Sequence, residues 1–233
     1  MRYRNVLCPL ALFAMLAVGL TTSASAQVSY EFTFDDAPAG TQANSLSQPT
    51  GLNVSFHFAV FAPDQDEFGD DIPGSEHWQI DLTAPPVLID NPADWGRGDA
   101  PSVPHALEAV FQPVMILFDT PFNLDPLGFS TILDNDTFGF DGTLPGFEDI
   151  AALFFDPNDG LIDQIQIDQS EPGFVVETGG YQNLSYVVLP SNAFYDNVFI
   201  SGTPVPEAAT LTLLALGAFA VVRKRRRRVA DQQ

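Results

Sequence analysis

Between residues 27 and 207, apolar and polar residues alternate in short runs broken every few positions by Pro, Gly, Asn and Asp. A period of two belongs to an extended strand with one face on a core, and the breakers are turn formers. The pattern predicts strands at 30–34, 52–61, 78–82, 107–111, 114–118 and 127–133, then at 151–155, 161–167, 174–177, 184–189 and 197–201. Within 54–60, Val54, Phe56, Phe58 and Val60 share one face, and His57 takes the other. Trp78 alternates with Ile80 and Leu82, which assigns it to the core. Ile162, Ile165 and Ile167 alternate less regularly and leave the register of their strand open. No stretch of this region keeps a helical period. Positions 84–105, rich in Pro, Asp and Gly, read as a long surface loop. The expected fold is all-β, a β-sandwich whose facing sheets are filled by many of the chain's 20 Phe.

The two ends depart from this pattern. Arg2 and Arg4 precede an almost wholly apolar run from Val6 to Leu20, and small residues then lead to Ala24-Ser25-Ala26. A basic start, a short apolar run and an A-x-A site are the marks of a secretory signal peptide, here residues 1–26, cut before Gln27 by signal peptidase. Cys8, the chain's only cysteine, is removed with the signal peptide, so the expected mature chain forms no disulfide. At the other end Ala208 to Val222 is a 15-residue stretch without charge, followed at once by six basic residues, Arg223 to Arg228. As a transmembrane helix it extends about 22 Å, short of a hydrocarbon core of about 30 Å. The basic cluster is expected to stay in the cytoplasm, which leaves the region before Pro206 outside. The organisation read from the chain is thus a signal peptide (1–26), an ectodomain (27–202) and a C-terminal segment (203–233).

Charge sharpens that division. The chain has 30 acidic and nine basic residues, but 29 of the acids and only one of the bases, Arg97, lie in 27–207. Such a domain repels nucleic acid and attracts cations. Two readings of the acidity stand side by side: solubility of a surface protein, and binding of calcium, a hard cation that takes carboxylate and amide oxygens.

Val205-Pro206-Glu207-Ala208, the apolar helix at 208–222 and the basic cluster at 223–228 resemble the PEP-CTERM sorting signal. Pro206 and Glu207 match its first two positions, and Ala208 stands where the second Pro is usual. The resemblance implies recognition in the inner membrane by an exosortase, cleavage near Pro206–Glu207, and delivery to the cell surface or the extracellular space. A second resemblance lies in the ectodomain. Phe32-Thr33-Phe34-Asp35-Asp36 and Tyr195-Asp196-Asn197-Val198-Phe199-Ile200 are similar to the first and last strands of jelly-roll carbohydrate-binding domains. In those domains the two strands can meet around a structural calcium ion, which implies Asp196 with Asp35 or Asp36 as ligands.

Other candidates come from the residues themselves. Asp64-x-Asp66-x-Phe68-Gly69 and Asp134-x-Asp136-x-Phe138-Gly139 space their carboxylates like the start of an EF-hand loop. Phe at the fifth place, and Ser75 and Pro145 at the twelfth, exclude an EF-hand and leave two looser calcium candidates. Asp156-Pro157-Asn158-Asp159-Gly160 reads as a type I turn. His57, His77 and His105 lack zinc spacing, and no nucleophile elbow is present, so no catalytic residue is assigned and no enzyme activity is expected. Trp95 and Arg97 share a polar loop, the arrangement that stacks an aromatic ring on the apolar face of a sugar. The competing reading has Trp95 plugging the end of the sandwich while Arg97 pairs with Asp94 or Asp99. The functional expectation is a non-enzymatic module associated with exopolysaccharide or surface glycan. A secreted glycan hydrolase and a self-associating coat protein are the alternatives.

Overall fold

Runs of aromatic and branched residues build twelve strands in the computed structural model, which describes residues 26–91, 105–110, 112–134, 151–166, 174–175, 180–191 and 193–206. β1 (Val28–Phe32) and β2 (Thr41–Gln42) precede a single 3-10 turn, Ala43–Ser45. Then come β3 (Val54–Ala62), β4 (His77–Ile80), β5 (Leu88–Asp90), β6 (Ala106–Ala109) and the 21-residue β7 (Val114–Asp134). β8 (Ala151–Phe155), β9 (Leu161–Gln166), β10 (Phe174–Val175), β11 (Leu184–Leu189) and β12 (Ala193–Pro204) complete the order. Every pairing between them is antiparallel. Ala26–Val205 forms one compact unit. Among the described residues no helix is long and apolar enough to cross a membrane; the predicted signal peptide and C-terminal helix lie outside them, apart from Ala26.

β7 holds the unit together because its two halves serve different neighbours. Val114–Phe118 lies between β3 and β11, which continues through β8 to β9. Residues 122–134 pair with β12, and β10 adds to the other side at Ile132–Leu133. β12 in turn carries β6, β5 and β2. The hydrogen-bonded network thereby doubles into two layers, and the main core lies between them. Phe129 of one layer meets Phe154 of the other edge to face, with ring centroids 5.5 Å apart. Phe32 meets Phe56 in the same way at 5.3 Å. Such pairs add about 0.5–1.5 kcal/mol to the burial of the rings themselves. A smaller core lies on the opposite face, where Ala59 and Trp78 of the β3–β4 hairpin cover Met115, Leu153, Phe155, Tyr186 and Val188. Covering both faces buries all five residues of β8.

Each predicted strand overlaps an observed one, but four details are corrected. The segments 114–118 and 127–133 are one strand, because β7 absorbs Leu127 (φ 58°) as an irregularity opposite β12 instead of ending there. Gly128 is required at that place, since a Cβ would run into the carbonyl of Ser201. The expected loop 84–105 contains β5, whose Ile89 is fully buried, and β2, absent from the prediction, pairs with it. Val60 is exposed rather than on the core face: β3 leaves β7 for β4 after Phe58, and Ala59 turns inward instead. Leu82 lies beyond the end of β4 and is 91% exposed, while Trp78 is buried as predicted.

Candidate functional site

β12 changes neighbours part-way along one edge. Ala193–Tyr195 pairs with β6, and Val198–Gly202 pairs with β1, so Asp196 and Asn197 fall in the gap between the two. Asn197 takes a left-handed backbone (φ 48°), which Asn tolerates better than most residues, and the register with β7 skips here. Thr131 Oγ1 holds the spot from the other side by donating to the Asp196 carbonyl at 2.9 Å. The Asp196 side chain is 3% exposed. Its Oδ1 accepts from the Asn197 N–H at 2.7 Å, and the Phe34 N–H is directed so as to favour the charged carboxylate. Oδ2 is buried with no partner.

Asp35 arrives from the end of β1. Phe32 and Phe34 are buried against Phe56, which anchors the chain just before Asp35, and the Ala37 N–H then closes a turn onto the Phe34 carbonyl at 3.0 Å. Oδ1 of Asp35 is likewise buried with no partner. His105, immediately before β6, borders the place, with Nδ1 at 3.3 Å from the Asp35 carbonyl. The geometry therefore unites two of the residues singled out from the sequence, Asp35 and Asp196, while Asp36 is exposed.

Electrostatics follow from that burial. Desolvation pushes the Asp196 carboxyl up to about 6; the charges of Asp35 and Glu31 add to the rise, while the N–H donors of Asn197 and Phe34 oppose it. The described residues contain no Lys or Arg, and His105 is the basic side chain they bring to this place. No three His, Cys, Asp or Glu side chains come together among the described residues. A calcium ion here would take two carboxylate oxygens and fill its remaining positions with backbone carbonyls and water. A carboxyl raised in the folded state stabilises the fold fully below its ordinary value near 3.8, and loses that contribution as pH rises through about 6. In calcium-free buffer, urea titrations are accordingly expected to show this group's contribution, on the order of 2–3 kcal/mol in all, falling away between about pH 3 and about pH 7. An Asp196→Asn variant is expected to lack that component; equal slopes in both proteins would contradict it.

The other candidates stand apart from this place. Asp64 and Asp66 lie in the β3–β4 connection, where Asp66 Oδ1 accepts from the Phe68 and Asp70 N–H groups and shapes the turn. Asp64 faces His77 Nε2 at 3.8 Å. Asp134 is the last residue of β7, opposite Phe194, while Asp136, Trp95, Arg97, Glu207 and Ala208 lie outside the described residues. Val205 and Pro206 close the described chain. In the 156–160 turn, Asp156 Oδ1 accepts from the Asn158 and Gly160 N–H groups, as a turn cap does. Glu108, which in the sequence is one of several carboxylates that could pair as in a glycosidase, is a half-buried carboxyl on β6 raised by burial and then by the charge of Asp90. β5, which brings Asp90 to β6, lies in the stretch that the sequence pattern assigns to loop. His105 and Thr131 carried no signal at all, since only folding brings them to Asp35 and Asp196.

An acidic, antiparallel β domain whose last strand leads straight into a Pro-Glu segment, an apolar run and a basic cluster has the layout of an exported protein with a C-terminal sorting signal. Residues 204–228 match the PEP-CTERM protein-sorting motif, and the chain is thus a protein bearing that motif. The motif implies export, membrane-anchored sorting toward the cell surface, and processing by an exosortase. Comparison with curated proteins and with solved structures gives no match.

Proposed function

We propose that the domain is a non-enzymatic surface or matrix module, a jelly-roll-like sandwich that binds calcium between Asp35 and Asp196 and associates with exopolysaccharide or surface glycan after exosortase sorting. The observation that carries this reading is the pair of buried, unpartnered carboxylate oxygens at the meeting point of the first and last strands. Two like charges with no Lys or Arg beside them among the described residues favour a hard cation at this site. The ion would tie the end of β1 to β12, so calcium would act on stability and through it on any ligand surface. The glycan partner rests on Trp95 and Arg97, an aromatic beside the only Arg of residues 27–207.

Mature protein collected from cells, sedimented with purified exopolysaccharide, tests the reading. Retention is expected to be at least several-fold greater in calcium than in chelator, and to fall in Trp95→Ala without loss of the calcium-dependent melting shift. Retention indifferent to both changes would remove the glycan role.

A further inference from the structure

The sorting motif begins at residue 204, but the sheet has not ended there. Gly202 pairs with Val28 of β1 on one side and with Leu124 of β7 on the other. Thr203 and Pro204 continue opposite Asn123 and Phe122. Val205 adds one more bond, its N–H donating to the Pro121 carbonyl at 2.7 Å. Gly202 is also the place of closest approach, where a Cβ would collide with the Asn123 carbonyl and the Phe122 ring. The folded domain thus runs to Val205 and leaves no spacer before Pro206–Glu207. Enzymes that cut peptides bind them extended, through main-chain N–H and C=O groups on both sides of the scissile bond. On the amino side Thr203 and Pro204 are already paired with β7, Val205 donates to Pro121, and Pro204 and Pro206 offer no N–H.

We propose that the fold gates its own processing: the Gly202–Val205 end of β12 has to leave the sheet before the chain can be cut at the sorting motif. This rests on the reading of the chain as an exosortase substrate. The cut transfers the acyl carbon to water or to another hydroxyl or amine nucleophile, and the tail leaves with a free amine; the gate acts before that step, by withholding the extended segment. Opening a strand end that is paired on both sides at Gly202 has a free-energy cost, and the fraction of chains open at any moment limits the rate. Proximity to the membrane enzyme alone does not release the tail. The state of the last strand decides.

The test is a pulse-chase of the full chain in cells that carry the exosortase, with the carboxyl terminus read by mass spectrometry. Asn123→Cys with Thr203→Cys places two thiols across an antiparallel pair, a separation that suits a disulfide, and Cys8, the only native cysteine, lies outside the domain. The bridged protein is expected to be processed at least ten-fold more slowly than wild type, and reductant is expected to restore the rate. An insertion of about six Gly and Ser residues between Val205 and Pro206 frees the segment without touching the fold, and is expected to raise the rate several-fold. Wild-type rates in both the bridged and the linker variants would overturn the gate while leaving sorting intact. A tail still carrying Arg223 to Arg228 in every variant, the linker one included, would overturn the sorting reading and the gate with it.

Discussion

Asp196→Asn is expected to raise the melting temperature of the calcium-free protein at pH 8, and to abolish the further rise that calcium gives the wild type. At that pH the buried carboxylate is ionised although its carboxyl has been pushed up to about 6. Holding the charge there costs on the order of 2–3 kcal/mol relative to an ordinary Asp. Asn is close to isosteric and keeps an oxygen for the Asn197 N–H, which donates to Oδ1 at 2.7 Å in the native chain. Its NH2 group then stands where Oδ2 had no partner, and carries no charge to be opposed by that of Asp35. For a domain of this size the relief corresponds to a rise of roughly 4–10 °C. In wild type, calcium at 100 times its dissociation constant supplies about 2.7 kcal/mol. The two proteins are therefore expected to differ in opposite directions: the variant more stable in chelator, and the wild type alone responding to calcium. Equal calcium shifts in both would place the ion elsewhere, with the acidic β3–β4 connection the next segment to test.

Phe56→Ala is expected to destabilise the domain by about 3–5 kcal/mol, read as a lower urea midpoint at unchanged slope. Phe56 is 1% exposed and touches Phe32 at 5.3 Å and Phe34 at 6.3 Å, both edge to face. Truncation leaves a cavity between the two layers and removes the partner of the residues that precede Asp35. The calcium shift is therefore expected to shrink together with the stability, although Phe56 is no ligand. Phe68→Ala is the control, because Phe68 is 81% exposed at its turn and should change the midpoint little. A large loss from Phe68 and a small one from Phe56 would contradict the assignment of the core.

Phe56 and Asp196 also show how far the residues alone lead. Alternation placed Phe56 on a core face because a period of two is a local property of an extended chain, independent of what lies opposite. The same rule misplaced Val60, four residues on, because the face reverses where β3 changes partners, and partners are not encoded in the strand itself. β5 was invisible for a related reason. Three residues among Pro and Asp carry little periodicity, and Leu88–Asp90 is a strand because β2 and β6 lie beside it. The acid excess, the apolar tail with its basic cluster and the Pro-Glu motif were fully legible, since composition and order along the chain define them.

The pairing of Asp35 with Asp196 entered through resemblance to jelly-roll domains, and their 161-residue separation explains why nothing local could have suggested it. Sequence alone determined that this is an exported, acidic β domain with a sorting signal, because targeting segments and charge act as linear properties of the chain. Only tertiary structure decided that one oxygen of each of two carboxylates is buried without a partner, and that the last strand is still hydrogen-bonded where the signal begins. Burial and register are relations between distant segments, fixed when the two layers close on their common core.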